Sequence, residues 1–293
     1  SKLPVGEYTL HEVKAPKGYN LAEDVKVVIE ETGKVQEFSI YDVEKTNNVP
    51  ISKQDITTGE EIEGAKLELL DSKGKVIESW TSTTKPHVIN NLKAGTYTIR
   101  EKAAPKGYLL AQDIEFTIDA EGNIKGSTIM QDDYTKVEIS KKDIVTSEEL
   151  PGATLQVIEK STGKVLEEWI SKDSAHRIDK LPIGEYILRE ITAPDGYVRA
   201  EDVEFTVSNS GEIQRVEMQD DYTKVEITKK DLETKEILEG AQLQLLNSQG
   251  DVVAEFTSEN KAYMISKLPV GEYTLHEVKA PKGYNLAEDV KVV

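Results

Sequence analysis

The sequence predicts an all-β chain: tandem modules in series as an elongated rod, each a sandwich of two antiparallel sheets. Three observations carry this. The chain repeats itself at two periods, its apolar residues alternate in short runs closed by turn residues, and no segment shows a convincing amphipathic helix.

The repeats come first, because they set the frame. Residues 1–28 are identical to residues 266–293, an offset of 265. A shorter period lies inside it. Pro16-Lys17-Gly18-Tyr19 recurs at Pro105–Tyr108, as Pro194-Asp195-Gly196-Tyr197, and at Pro281–Tyr284, with spacings of 89, 89 and 87 residues. Four segments follow: 1–48, the back part of a module; 49–133 and 134–221, two whole modules; and 222–293, a module that stops before its last strand. The first residues fall inside a motif, so the chain reads as a piece of a longer repeat protein. The segment Ile29–Asp42 shows what would follow Val293.

Each strand is argued from period-2 alternation. In the first whole module the runs are Lys66–Leu70, Val76–Trp80, Tyr97–Glu101 and Ile114–Ile118, divided by Ser72-Lys73-Gly74, Ala94-Gly95 and Ala120-Glu121-Gly122. Such spacing suits a two-sheet sandwich. The joints Tyr134-Thr135-Lys136 and Tyr222-Thr223-Lys224 hold no Gly, Pro or Ser run, unlike a flexible linker. This predicts a stiff array.

Composition narrows the function. A formal net charge of -18 disfavours nucleic acid and anionic membranes, whose phosphates the surface would repel. With no cysteine there is no disulfide and no thiolate metal site. No run of about 18 apolar residues exists to cross a membrane as a helix, and the N-terminus lacks the pattern of a signal peptide. Were the chain extracellular, it would need a source of durability other than disulfides.

That source is legible in the strand parity. Tyr273, Leu275 and Glu277 share one strand face, and the apolar pair marks it as the inner one. Val225, Ile227 and Lys229 likewise place a lysine inward. In the last strands Thr128, Met130 and Asp132 share a face, as do Val216, Met218 and Asp220, and Phe38, Ile40 and Asp42. Lys53 lies in register with Ile51, and Lys141 with Val137 and Ile139; Glu101 follows Tyr97 and Ile99, and Glu190 follows Tyr186 and Leu188. Each module thus aims one Lys, one Glu and one Asp at its core.

Two readings of the triad stand. One is a buried salt bridge, although burying charge rarely stabilises unless every group is paired. The other is an amide formed within the chain. Desolvation favours the neutral forms of an amine and a carboxyl group. A neutral amine held against a protonated carboxyl is a nucleophile beside an electrophile, and the fold supplies proximity. The glutamate then relays a proton from nitrogen to the departing oxygen.

The same residues carry a resemblance. The chain resembles tandem CnaB-type (SpaA-like) isopeptide-forming domains, Ig-like sandwiches of Gram-positive surface proteins and pilins. The carrying motifs are I-S-K-Q-D (Ile51–Asp55), I-S-K-K-D (Ile139–Asp143) and I-T-K-K-D (Ile227–Asp231), then G-A-x-L at Gly64–Leu67, Gly152–Leu155 and Gly240–Leu243. The pattern Y-x-L-x-E-x-x-A-P-x-G-Y stands complete at Tyr8–Tyr19, Tyr186–Tyr197 and Tyr273–Tyr284, with Ile99 replacing Leu at Tyr97–Tyr108.

The resemblance covers essentially the whole chain. It implies a Lys53–Asp132 bond assisted by Glu101 and a Lys141–Asp220 bond assisted by Glu190. It also implies Lys229 with Glu277, the Asp lying beyond Val293, and Asp42 with Glu12, the Lys lying before Ser1. Many members end the triad in Asn, whereas this chain has Asp. The adjacent Asp133 and Asp221 leave a one-residue ambiguity, which parity resolves to Asp132 and Asp220.

What the resemblance implies is a stalk or shaft repeat of a bacterial cell-wall-anchored adhesin or pilus-like fibre. It would be extracellular, its partners neighbouring modules of the same or an adjacent chain, with no cofactor and no turnover as an enzyme. The alternative is an adhesin module gripping a host matrix protein or glycan, but no module carries a long or aromatic-rich insertion. A carbohydrate-active enzyme ranks third. Paired acids such as Asp132-Asp133 suggest glycoside hydrolysis, yet no insertion large enough for a cleft accompanies them.

Other signals have simpler readings. His11, His87, His176 and His276 are scattered, with no metal-binding motif around them. Leu3-Pro4-Val5-Gly6 lacks the Thr of a sortase signal and reads as a turn. Trp80, Trp169 and Phe256 occupy matching positions and read as packing residues, and the Tyr of P-x-G-Y as core or rim.

Overall fold

The computed structural model describes residues 3–292. Every regular element among them is a β-strand. Two compact units are distinguished: one runs to Thr135 and includes Asn209–Gly211, and the other holds Lys136–Ser208 and the residues from Glu212 onward.

In the first unit, the strand Asn47–Asp55 is flanked by His87–Leu92 and Ile129–Asp132 in a three-stranded sheet. Five strands make the facing sheet, in the order Ile124–Gly126, Ile114–Ile118, Gly95–Ala103, Lys66–Asp71, Val76–Thr81. Burial along Gly95–Ala103 alternates through Tyr97, Ile99 and Glu101, as the period-2 pattern requires. The core between the sheets includes Val49, Ile51, Leu67, Leu69, Ile99, Phe116 and Met130, each at most 2% exposed.

The second unit repeats the plan. Lys136–Asp143 lies between His176–Asp179 and Ile213–Asp220, facing a sheet ordered Val165–Ile170, Thr154–Glu159, Gly184–Thr192, Val203–Val207. Further along, Lys224–Ile227 pairs with Tyr263–Ser266, opposite a four-stranded sheet built on Gln242–Leu246 and Tyr273–Lys279.

One pairing in each whole module departs from an all-antiparallel plan. First and last strands run parallel, with Lys53 opposite Met130 and Lys141 opposite Met218. Parallel neighbours require a long crossover, and here the remainder of the module is that crossover.

The expected strand through Phe38, Ile40 and Asp42 is not formed. Residues 30–42 are irregular and Phe38 is exposed. In the whole modules the last strand is held by its parallel first strand, and among the described residues no strand pairs with residues 38–42.

Candidate functional site

Each whole module brings its predicted Lys, Glu and Asp together between the sheets. Lys53 Nζ donates to Asp132 Oδ1 and lies 3.2 Å from Glu101 Oε1; all three side chains are at most 1% exposed. Lys141 Nζ donates to Asp220 Oδ1 and lies 3.1 Å from Glu190 Oε1. In both cases the lysine and aspartate are 79 residues apart in sequence.

Strand register explains the convergence. The lysine projects inward from the first strand, and the aspartate two residues past its Met neighbour projects inward from the adjacent last strand. The glutamate comes from the opposite sheet, where Glu101 faces Leu67 and Glu190 faces Leu155 of G-A-x-L. A register shift immediately precedes that leucine in both modules. Such a bulge bends the strand locally and re-aims the side chains beside it.

The glutamate is fixed by a contact the motif reading did not anticipate. The Ala111 N–H donates to Glu101 Oε2 at 2.7 Å, the Ala200 N–H to Glu190 at 2.7 Å, the Ala287 N–H to Glu277 at 2.6 Å, and the Ala22 N–H to Glu12 at 2.8 Å. One carboxylate oxygen is anchored to backbone and the other is left for the lysine. A signal was available: an alanine stands ten residues after the glutamate in all four copies.

Electrostatics separate the aspartate from an ordinary surface acid. Burial pushes the Asp132 carboxyl up to about 7, against the lowering effect of Lys53, and negative Glu101 pushes it the same way. Burial and Glu190 push Asp220 up to about 6 against Lys141. Oδ2 of each aspartate and Oε1 of each glutamate are buried without a hydrogen-bond partner. For Glu101 and Glu190 the lysine is within ion-pair reach of Oε1 but outside hydrogen-bond geometry. A site with spare acceptors and a raised carboxyl is poorly satisfied as a static ion pair.

The end segments hold partial sets. Lys229 Nζ lies 2.9 Å from Glu277 Oε1, and its side chain is 16% exposed. Asp42 stands beside Glu12; some burial and that neighbour raise its carboxyl. The Asp expected beyond Val293 and the Lys expected before Ser1 lie outside the described residues.

The remaining candidates fall elsewhere. His11 pairs with Asp24 at 2.6 Å and His276 with Asp289 at 2.7 Å, both exposed. Trp80 stacks on His87 at 4.7 Å and Trp169 on His176 at 4.3 Å, while Phe256 stacks on Tyr263 at 4.0 Å. The Tyr of P-x-G-Y makes a polar contact with the Asp of the lysine motif. Tyr108 OH donates to Asp55 Oδ2 at 2.9 Å and Tyr197 OH to Asp143 Oδ2 at 2.7 Å.

No curated protein matches the chain. Among solved structures, the Bacillus anthracis TIE protein is 25% identical at a TM-score of 0.46, over 92% of this chain and 52% of that one, so the chain spans about half its length. The shaft pilin SpaA of Lactobacillus rhamnosus GG is 17% identical at a TM-score of 0.33, over 61% of this chain and 98% of the pilin. A streptococcal ancillary pilin is 14% identical at a TM-score of 0.36, over 85% and 95%. A family model described as the SpaA prealbumin-like fold domain matches four successive segments, residues 1–44, 47–132, 135–222 and 223–293. With nearly every residue inside those segments, the chain belongs to the SpaA prealbumin-like fold domain family.

Proposed function

We propose that this chain is a structural segment of an extracellular, cell-wall-anchored bacterial fibre. In this reading each whole module locks itself with an amide between its first and last strands. The observation that carries it is the twice-repeated contact of a buried lysine amine with a buried aspartate carboxyl, beside a glutamate anchored by a backbone N–H.

The chemistry balances as a condensation. Lys53 Nζ first passes its extra proton to the Asp132 carboxylate it contacts; the amine then attacks Cγ of the protonated acid, a C–N bond forms, and the C–OH bond breaks. Glu101 takes a proton from the nitrogen and delivers it to the departing oxygen, which leaves as water. The same steps join Lys141 to Asp220 through Glu190. A neutral amide replaces two buried ionisable groups, removing the desolvation penalty that makes a buried pair costly. Because the bond forms once and the catalytic glutamate sees no second substrate, the protein does not turn over.

The mechanical role follows from connectivity. Tension enters a module at its first strand and leaves at its last, and those strands are parallel neighbours. A covalent link between them passes the load by the shortest route and shields the facing sheet. Peptide mapping tests the reading. Digestion of the folded protein should release a branched peptide joining Lys53 to Asp132 and another joining Lys141 to Asp220. Recovery of all four residues only in linear peptides would refute it.

A further inference from the structure

Outside the buried triads, the second unit contains a polar cluster that links residues of segment 134–221 to the segment that follows. Lys267 Nζ donates to Asp143 Oδ2 at 2.9 Å and to Tyr197 OH at 2.6 Å. It also sits over two aromatic rings, 4.8 Å from the centroid of Tyr197 and 5.4 Å from that of Tyr222. Asp143 is the Asp of I-S-K-K-D and Tyr197 the Tyr of P-x-G-Y, whereas Lys267 belongs to the Ser-Lys-Leu-Pro turn of the later segment.

The backbone around this cluster is closely interlocked. The Lys267 N–H donates to Thr223 O at 3.0 Å, the Thr223 N–H to Gly196 O at 3.0 Å, and the Thr223 hydroxyl to Leu268 O at 2.7 Å. Lys267 has a φ of +62°, which a lysine adopts only at a cost. Gly196 approaches it so nearly that a Cβ there would stand 2.4 Å from Lys267 O. Asp143 itself is 4% exposed at the side chain, and the neighbouring ammonium and phenol hold its carboxyl well below the usual carboxylate range.

From this geometry we infer that the Asp143–Tyr197 pair is a docking site for a lysine presented on a left-handed turn by the next module. The joint is then a keyed contact that fixes how one module meets the next. The sequence repeats the parts. Asp55 and Tyr108 form the same acid–phenol pair, Asp231 and Tyr284 stand at the matching sequence positions, and Lys180 has a φ of +63° in the matching Asp-Lys-Leu-Pro turn. The partner such a pair fits is a module bearing x-Lys-Leu-Pro ahead of its G-E-Y strand. The inference does not depend on amide formation, since none of these residues belongs to a buried triad.

The test uses the full chain, whose lack of cysteine allows clean spin labelling at Lys172→Cys and Ser248→Cys, both exposed. Electron–electron distance measurements should give one narrow distribution. Lys267→Met should broaden it at least about twofold, because a loosely held inter-module contact permits relative motion. Asp143→Asn should broaden it too, and the double variant no more than the wider single one, since both remove one interaction. Lys261→Met, a change at an exposed lysine of the same segment, serves as the control and should leave the width unchanged. A Lys267→Met chain with the parent width overturns the inference. So does broadening that Asp143→Asn fails to reproduce, which would assign the effect to the turn alone.

Discussion

Lys53 and Asp132 stand 79 residues apart in sequence, yet the amine of one donates to the carboxyl of the other inside a sealed core. Both side chains are shielded from water, and Lys141 with Asp220 reproduces the relationship in the next module.

Removing the acid should expose the value of the link. Closing a loop of this span is worth about 4–5 kcal/mol by the loop-entropy model. Asp132→Ala also strands a buried amine, which adds roughly 3–5 kcal/mol of cost. Denaturant unfolding should show the first module destabilised by more than the loop term alone, with the 134–221 module unchanged. Equal midpoints in the two proteins would argue against any bond.

Glu101→Gln separates assembly of the site from its chemistry. The amide side chain keeps the shape but cannot shuttle a proton, so bond formation in that module should slow by roughly 10²–10⁴-fold, the usual worth of a general acid–base. Mass spectra taken after expression should show that module unlinked and its neighbour linked.

The anchoring alanine supplies a subtler test. Ala111→Pro deletes the N–H that holds Glu101 Oε2 while leaving Lys53, Glu101 and Asp132 in place. A glutamate free to rotate should slow condensation well beyond what the loss of one hydrogen bond to a carboxylate costs in stability, about 1.5–3 kcal/mol. Pulse-labelled protein followed over time would read the rate and the melting curve the stability.

The pH dependence of the unlinked form has a definite sign. Burial, the largest cause of the raised Asp132 carboxyl, persists in Glu101→Gln. The folded state then binds a proton that the unfolded state releases from about pH 4 upward, so stability should fall as pH rises above about 4, and the fall should end below the parent site's value of about 7 because the charge of Glu101, a further cause of the raised carboxyl, is gone. The loss should be on the order of a few kcal/mol, and absent from the linked protein, whose amide does not titrate in that range. Urea titrations at several pH values measure it.

Under load the linked module should not fully extend. Pulling from the ends would leave the residues between Lys53 and Asp132 out of the extended length, a deficit of roughly 260–280 Å at about 3.3–3.6 Å per residue. Single-molecule force spectroscopy on the parent and on Asp132→Ala reads the difference.

Much of this was legible in the sequence because β-structure writes its inner face at period two. Tyr97, Ile99 and Glu101 could be assigned inward without coordinates, and so could Met130 with Asp132, since one misaligned residue would have turned all of them out. What parity cannot convey is which strands become neighbours. The parallel union of Asn47–Asp55 with Ile129–Asp132 depends on how the whole module folds back. Residues 38–42 carry the alternation of a last strand yet remain irregular, because a strand needs a partner to satisfy its backbone. Backbone donors were equally hidden. The Ala111 N–H and the Asp55–Tyr108 tie leave only a fixed spacing in the sequence, a clue that becomes chemistry once the distances are known.

The most direct measurement is the intact mass of the purified, denatured chain. Two amides, one in each whole module, require a mass two water molecules below the value calculated from the sequence. A mass equal to the sequence value in a folded preparation would contradict the account.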